Sequence, residues 1–301
     1  MLETLILGSN AAVPAHGRHL TSAVVSSGNE LFLLDCGECT QLRLSDCHIA
    51  RSKISHIFIT HLHGDHLFGL PGLLTSFSFG RREPLYLYGP EGLEEFVRAV
   101  IRLSGSYLRY PLHFRQTDPD RHELIFENER LTVHTLPLRH RLPTNGYLFR
   151  EKPGRHRLLP DRLEAHGIPH AGREPLTRGL DYVFPDGRTV PNAELALPPA
   201  EPASFAFCTD TAYHPPLVPL IKDVGLLYHE STFLEDLREK AEETLHSTAL
   251  DAAKIALAAG AKRLLLGHFS TRYLDVSVLE REARQVFPEA EAVREGVWYR
   301  V

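Results

Sequence analysis

Four cysteines in 301 residues are too few for a disulfide framework, and Cys36, Cys39, Cys47 and Cys208 suit a reducing compartment. No stretch reaches the roughly 18 uninterrupted apolar residues that a membrane-spanning helix needs; the longest alanine-rich run, residues 252 to 261, is broken by Lys254 and Gly260. The opening Met1-Leu2-Glu3-Thr4 has neither the basic cluster nor the apolar core of a secretion signal, so the expected address is cytoplasmic. An excess of positive charge is lacking too. With 33 Lys and Arg against 38 Asp and Glu the net charge is −5, which excludes a general attraction for nucleic acid and leaves any RNA partner to a local basic patch. What is present is the composition of a folded chain: 43% hydrophobic and 24% charged residues exclude a disordered or collagen-like polymer. The length allows one large domain or two small ones.

Short apolar or β-branched runs at 2–7, 22–26, 30–35 and 54–60, separated by Gly, Asn and Pro clusters, predict that the chain opens as a sheet. Further strands are expected near 85–88, 131–136, 146–149, 204–208, 224–228 and 263–267. Helical segments interleave at 91–103, 216–222, 248–259 and 276–287, giving a mixed α/β layering. The third is the clearest, because Thr248 with Asp251 resembles a capping box and Gly260 supplies a stop. Residues 151–200 hold eight prolines and little periodicity, and are read as an excursion from the core.

The segment Thr60-His61-Leu62-His63-Gly64-Asp65-His66 packs three imidazoles and a carboxylate directly after a buried strand. Clustered histidines repel when protonated unless a cation draws them together. On a sharp turn His61 and His63 can converge on one ion and Asp65 and His66 on a second, at the roughly 3.5–4 Å spacing of two-metal hydrolytic sites. One loop cannot fill two coordination spheres, so further ligands are required at strand ends on the same rim. His140, Asp210 and His268 each follow a predicted apolar strand. Asp210 is the natural bridging carboxylate, since each of its oxygens can bind one ion.

This pattern resembles the metallo-β-lactamase superfamily, whose HxHxDH loop is matched by His61, His63, Asp65 and His66. The resemblance runs nearly end to end and implies an αββα sandwich, two facing mixed sheets with helices outside and a binuclear site along one edge. It assigns one zinc to His61, His63, His140 and Asp210, and the other to Asp65, His66, Asp210 and His268. Mn²⁺ and Fe²⁺ remain alternatives to Zn²⁺, although His-rich, Asp-bridged ligation suits zinc. Two such ions bring the pKa of a bridging water down towards about 7, and Asp65 is placed to orient or deprotonate that water.

Three ordered segments, Tyr228-His229-Glu230-Ser231-Thr232-Phe233, His246-Ser247-Thr248 and Gly267-His268-Phe269-Ser270-Thr271-Arg272-Tyr273, are similar to those of the ribonuclease Z family. Asp35-Cys36-Gly37-Glu38 and the run from Thr60 to Leu74 agree. The resemblance implies a zinc-dependent endoribonuclease that removes the 3′ trailer from precursor tRNA, leaving a 3′-hydroxyl on the tRNA and a 5′-phosphate on the trailer. A phosphodiesterase of the same fold acting on small phosphodiesters or other nucleic acids is the alternative. In the endonuclease reading His246 is the general acid for the departing 3′-oxygen, Glu230 orients it, the helix start at Ser247 and Thr248 offers an anion site, and Arg272 clamps a neighbouring phosphate.

Between Arg150 and Arg178 seven Lys or Arg face four acids, a local balance of +3. The family carries here an arm that grips the tRNA elbow, and the excursion looks like that arm, one inserted in a single domain spanning 1–301. Where the short-armed pattern has a Gly-Pro turn, this chain has Pro169-His170-Ala171-Gly172-Arg173. The resemblance also implies a homodimer. Cys36-x-x-Cys39 is assigned to packing, and Asp35 to a hydrogen bond behind a metal-binding histidine.

Overall fold

The structure is a computed structural model that describes residues 2–301. Residues 2–150 and 203–301 form one compact unit and Glu151–Pro202 another.

The first unit holds two seven-stranded sheets. In one, the order is Trp298–Arg300, Leu2–Gly8, Ser22–Ser27, Glu30–Leu34, Ile54–Phe58, Leu85–Gly89, Leu112–Gln116. Its first four strands pair antiparallel and the rest join in parallel. In the other, Ala290–Ala292, Arg263–Gly267, Leu226–Glu230 and Ser204–Cys208 run parallel, followed by Asn145–Glu151, Leu131–Pro137 and Leu124–Glu127.

These strands are apolar on both faces, and the period of two sorts their side chains between two cores. Leu2, Ile6, Phe32 and Leu34 join the core shared by the sheets, where Phe149 meets Phe32 and Phe58 edge-on at 5.6 and 5.7 Å. Leu5, Leu7, Leu31 and Leu33 point the other way, against Leu44, Leu70, Leu73, Leu74 and Val97 of the covering helices. On the far side, Ala249–Ala259 lays Ala252, Ala253 and Ala256 on the second sheet. The αββα sandwich expected from the sequence is the fold.

The differences are local. The four edge strands, Trp298–Arg300, Leu112–Gln116, Ala290–Ala292 and Leu124–Glu127, had no counterpart among the expected strands. Leu70–Phe77, which is not among the expected helices, is a helix despite Pro71, because proline is tolerated in a first turn. The helix expected at 216–222 is a 3-10 turn over Pro215–Ile221, with Pro219 inside it.

The Glu151–Pro202 unit has its own small core of Leu163, Ile168, Leu176, Val190 and Leu195. Two short hairpin-like pairs, Arg157–Leu158 with Ala196–Leu197 and Tyr182–Val183 with Thr189–Val190, close it. Its helix Pro160–Ala165 starts on a proline, and His170–Gly172, in the stretch where the short-armed pattern has Gly-Pro, forms a 3-10 turn.

Candidate active site

Parallel strands deliver their C-terminal ends to one rim, so the residue after each strand reaches the same place. Asp35 follows Glu30–Leu34, His61 lies just past Ile54–Phe58, Asp210 just past Ser204–Cys208, and His268 directly after Arg263–Gly267; Glu230 is itself the last residue of Leu226–Glu230. Asp35, Asp210 and His268 have φ of 54°, 55° and 55°, and Leu245, which precedes His246, has 56°. Left-handed backbone at four non-glycine positions around one cluster is strain that the sandwich holds in place, and such strain gathers at functional sites.

The donor atoms fall into two sets. His61 Nε2 lies 2.9 Å from His63 Nδ1, which lies 3.3 Å from His140 Nε2, and Asp210 Oδ2 is 3.5 and 3.7 Å from the His61 and His140 nitrogens. On the other side His66 Nε2 and His268 Nε2 are 3.3 Å apart; each is 3.1 Å from Asp210 Oδ1 and 3.6 Å from Asp65 Oδ2. Asp210 therefore turns one oxygen to each set. A tetrahedron with bonds of about 2.0–2.1 Å has edges near 3.3–3.4 Å, the scale of these spacings.

Proton bookkeeping tests whether these residues fit cations. Asp35 Oδ2, 2.7 Å from His66 Nδ1, fixes the ring proton there, and the Leu245 carbonyl, 3.0 Å from His140 Nδ1, does the same for His140. The Thr60 hydroxyl donates to Asp35 and that of Thr232 to Glu230, so both accept from a ring, Thr60 from His61 Nδ1 and Thr232 from His268 Nδ1, each at 3.0 Å. Four Nε2 lone pairs are thus aimed into the cluster, two of them at each other across 3.3 Å. Lone pairs facing in this way fit divalent cations.

The protonation preferences agree. Burial, reinforced by neighbouring imidazoles, pushes His61 and His63 down, and burial lowers His140, so all three stay neutral as ligands must. Burial would raise Asp210, but His268, His66 and His61 hold it well below the usual carboxylate range. Burial would lower His66, yet Asp210, Asp35 and Asp65 hold it well above its ordinary value, a measure of how strongly these carboxylates favour positive charge. Asp65 is depressed by His66 and His268 despite its burial, and its Oδ2 also accepts from the Ala12 amide at 2.8 Å.

Next to the cluster, His246 Nδ1 sits 2.8 Å from Oε1 of fully buried Glu230. That carboxylate also accepts from the amides of Thr211 and Ser247 and the Thr232 hydroxyl. Burial would raise Glu230, but His246 and His268 bring it down to about 2. Burial would lower His246, but Glu230, Asp210 and Asp65 push it up to about 9. The imidazole is a cation at neutral pH and stacks 5.4 Å from the His268 ring.

Ser247 and Thr248, expected at an anion site, are hydrogen-bonded within the fold. The Ser247 amide binds Glu230 and its hydroxyl the Thr211 carbonyl; the Thr248 amide binds Asp251 and its hydroxyl Glu235. Both residues are fully buried, and these donors are engaged within the fold. Arg272 is exposed, contacting Ser270 and the face of Phe233. The hydroxyls of Thr60 and Thr232 had no assigned role; their signal was adjacency to His61 in one case and to the Glu230 motif in the other. The cysteines are free, and burial drives the Cys36 thiol far up, which leaves it inert.

The cluster floors a cleft of about 420 Å³ whose walls include Ala12, Val13, Glu38, Phe68, Arg141 and His246. Fold and site together define a metal-dependent hydrolase of the metallo-β-lactamase fold. In the comparisons, YhfI from Bacillus subtilis, a metallo-β-lactamase fold protein, superimposes with a TM-score of 0.71 at 19% identity over 100% of both chains. The family Anti-Pycsar protein Apyc1 matches residues 2–134, less than half of the chain. Ribonuclease Z of Parabacteroides distasonis is 41% identical over 97% of this chain and 96% of its own, and that of Porphyromonas gingivalis 42% identical over 96% of each. Human tRNase Z, short form, superimposes with a TM-score of 0.71 at 26% identity, covering 99% of this chain and 98% of that one. The chain belongs to the ribonuclease Z family.

Proposed function

We infer that this protein is the tRNA 3′-processing endonuclease, cutting precursor tRNA so that the tRNA keeps a 3′-hydroxyl and the trailer a 5′-phosphate. The observation that carries the reading is the pairing of the inward-facing ligand cluster with a charged imidazole, His246, held by Glu230 at its edge. His61, His63, His140 and Asp210 would hold one Zn²⁺ and Asp65, His66, Asp210 and His268 a second. When bound, these ions supply the Lewis acidity that ionises water at neutral pH and stabilises charge on the phosphoryl oxygens.

The chain's own groups do the rest. Asp65, fixed by the Ala12 amide and kept ionised, accepts a hydrogen bond from the attacking water and aligns it. His246 keeps its Nδ1 proton on Glu230 and donates the Nε2 proton to the 3′-oxygen as the P–O3′ bond breaks. Glu230 is a positioning residue; its remaining lone pairs are filled, so it cannot rotate away. Arg272 clamps a flanking phosphate.

The Glu151–Pro202 unit is read as the tRNA-gripping arm. Its charge is polarised: residues 151–178 hold six Lys or Arg against four acids, while 179–202 hold one Arg against four acids. Arg155, Arg157 and Arg162 are exposed on the basic part. The protein works as a homodimer in the cytoplasm in this reading; among the described residues no helix is long and apolar enough to cross a membrane.

The test is incubation of metal-loaded protein with a trailer-bearing tRNA, with both products mapped. A single cut near the discriminator position with a 3′-hydroxyl on the tRNA is expected. Absence of a discrete cut at full metal loading would overturn the reading.

A further inference from the structure

One cation on the cleft wall has no role so far. Arg141 is the only Lys or Arg among the residues that line the cleft. It follows the ligand His140 directly, its side chain is exposed, and its Nη2 lies 3.3 Å from Nε2 of His63. Among the described residues no carboxylate pairs with it, whereas Arg98, Arg121 and Arg178 on the surface each pair with an acid within four residues.

This placement is unfavourable unless an anion joins it. His63 turns Nδ1 into the ligand cluster. A ring that commits the Nδ1 lone pair to a cation carries its proton on Nε2 and has no acceptor left for Arg141. The guanidinium and the Nε2–H then stand side by side as donors next to further positive charge, and an acceptor-only anion would satisfy both. Of the carboxylates that line the cleft, Asp65 and Asp210 are turned to the ligand histidines, which leaves Glu38, and none of the three pairs with Arg141.

We propose that Arg141 binds a backbone phosphate of the RNA adjacent to the scissile one, with His63 Nε2–H as its second donor. The proposal rests on the endonuclease reading above and adds a substrate contact to it. A guanidinium fork matches two phosphate oxygens, and no other Lys or Arg lines the cleft.

The test compares wild type, Arg141→Gln and Arg141→Lys, all metal-loaded, on a trailer-bearing tRNA at several salt concentrations. Elemental analysis and thermal unfolding are run on each protein. Arg141→Gln is expected to raise KM about tenfold with kcat within about twofold. It should also reduce the slope of log KM against log salt by about one, the loss of one phosphate contact. Arg141→Lys should recover most of the KM, because the charge remains. A wild-type KM and salt slope in Arg141→Gln would overturn the proposal. So would a loss of bound metal and of kcat at unchanged KM, which would make Arg141 a prop for His63. Failure of the wild-type protein to cut would overturn the endonuclease reading itself, and with it this contact.

Discussion

The Glu230–His246 pair shows how a residue's surroundings set its chemistry. A carboxylate with no exposed surface survives as an anion because four other protein donors and one imidazolium surround it, and the imidazolium survives because that carboxylate cannot leave. The sign of the linkage follows. His246 is raised from 6.5 to about 9, so its contribution to stability is complete below about pH 6.5 and disappears as the pH climbs through about 9. Glu230, lowered from 4.5 to about 2, contributes above about pH 4.5 and loses that contribution as the pH falls through about 2. Urea melts of chelated protein should therefore show wild type losing a few kcal/mol between pH 6.5 and 9 relative to Glu230→Gln, which lacks the pair. In the loaded enzyme, Glu230→Gln should move the alkaline limb of the kcat–pH profile downward and His246→Ala should lower kcat by about 10²–10⁴-fold; unchanged profiles would remove His246 as the acid. Thr232 joins the two halves of the site, accepting from His268 and donating to Glu230. Thr232→Val should weaken metal retention by about 10–100-fold, with Thr232→Ser restoring it, as read by equilibrium dialysis.

Among the secondary elements, the site is a property of strand ends. The five strands that feed the rim are interior to their sheets, apolar and readable, and this is why the residues at their ends were identifiable as candidate site residues. In the two seven-stranded sheets the strands that escaped detection are the four edges, where partial exposure and short length erase the apolar run that marks a buried strand; the four two-residue strands of the Glu151–Pro202 unit escaped as well. The helix Ala249–Ala259 was legible to its cap, and its capping box is formed as expected. What the pattern could not convey is that the same cap consumes the donors once assigned to a phosphate. Thr248→Ala should therefore lower stability by about 1 kcal/mol, measured as a drop of a few degrees in Tm, while KM for tRNA stays at the wild-type value.

For the whole molecule, the bounds of the compact Glu151–Pro202 unit define the deletion that tests its proposed role as a tRNA-gripping arm. Arg150 and Ser204 are paired across adjacent strands, so a short Gly-Ser turn can replace residues 151–202. Excising only 153–178 would take Leu163, Ile168 and Leu176 from a core of five and leave Val190 and Leu195 exposed. The clean deletion should cost precursor-tRNA cleavage mainly through KM and flatten its salt dependence, while hydrolysis of a small chromogenic phosphodiester persists. Exhaustive chelation should abolish both activities, and Zn²⁺ should restore both at about two ions per chain. Retained turnover after chelation would contradict the metal reading.

The amino-acid order alone determined which residues were able to act. Three imidazoles and a carboxylate within six positions are a local fact, visible without coordinates, as are strands apolar on both faces and the family resemblance they carry. Which of those groups share a proton, which face one another and which donors are already engaged are relations between segments up to 200 residues apart. The parallel strands of the two mixed sheets bring them to one rim, and only there do Asp210 divide its oxygens between two sets of nitrogens, Ser247 and Thr248 bond within the fold, and Arg141 stand without a carboxylate partner beside His63.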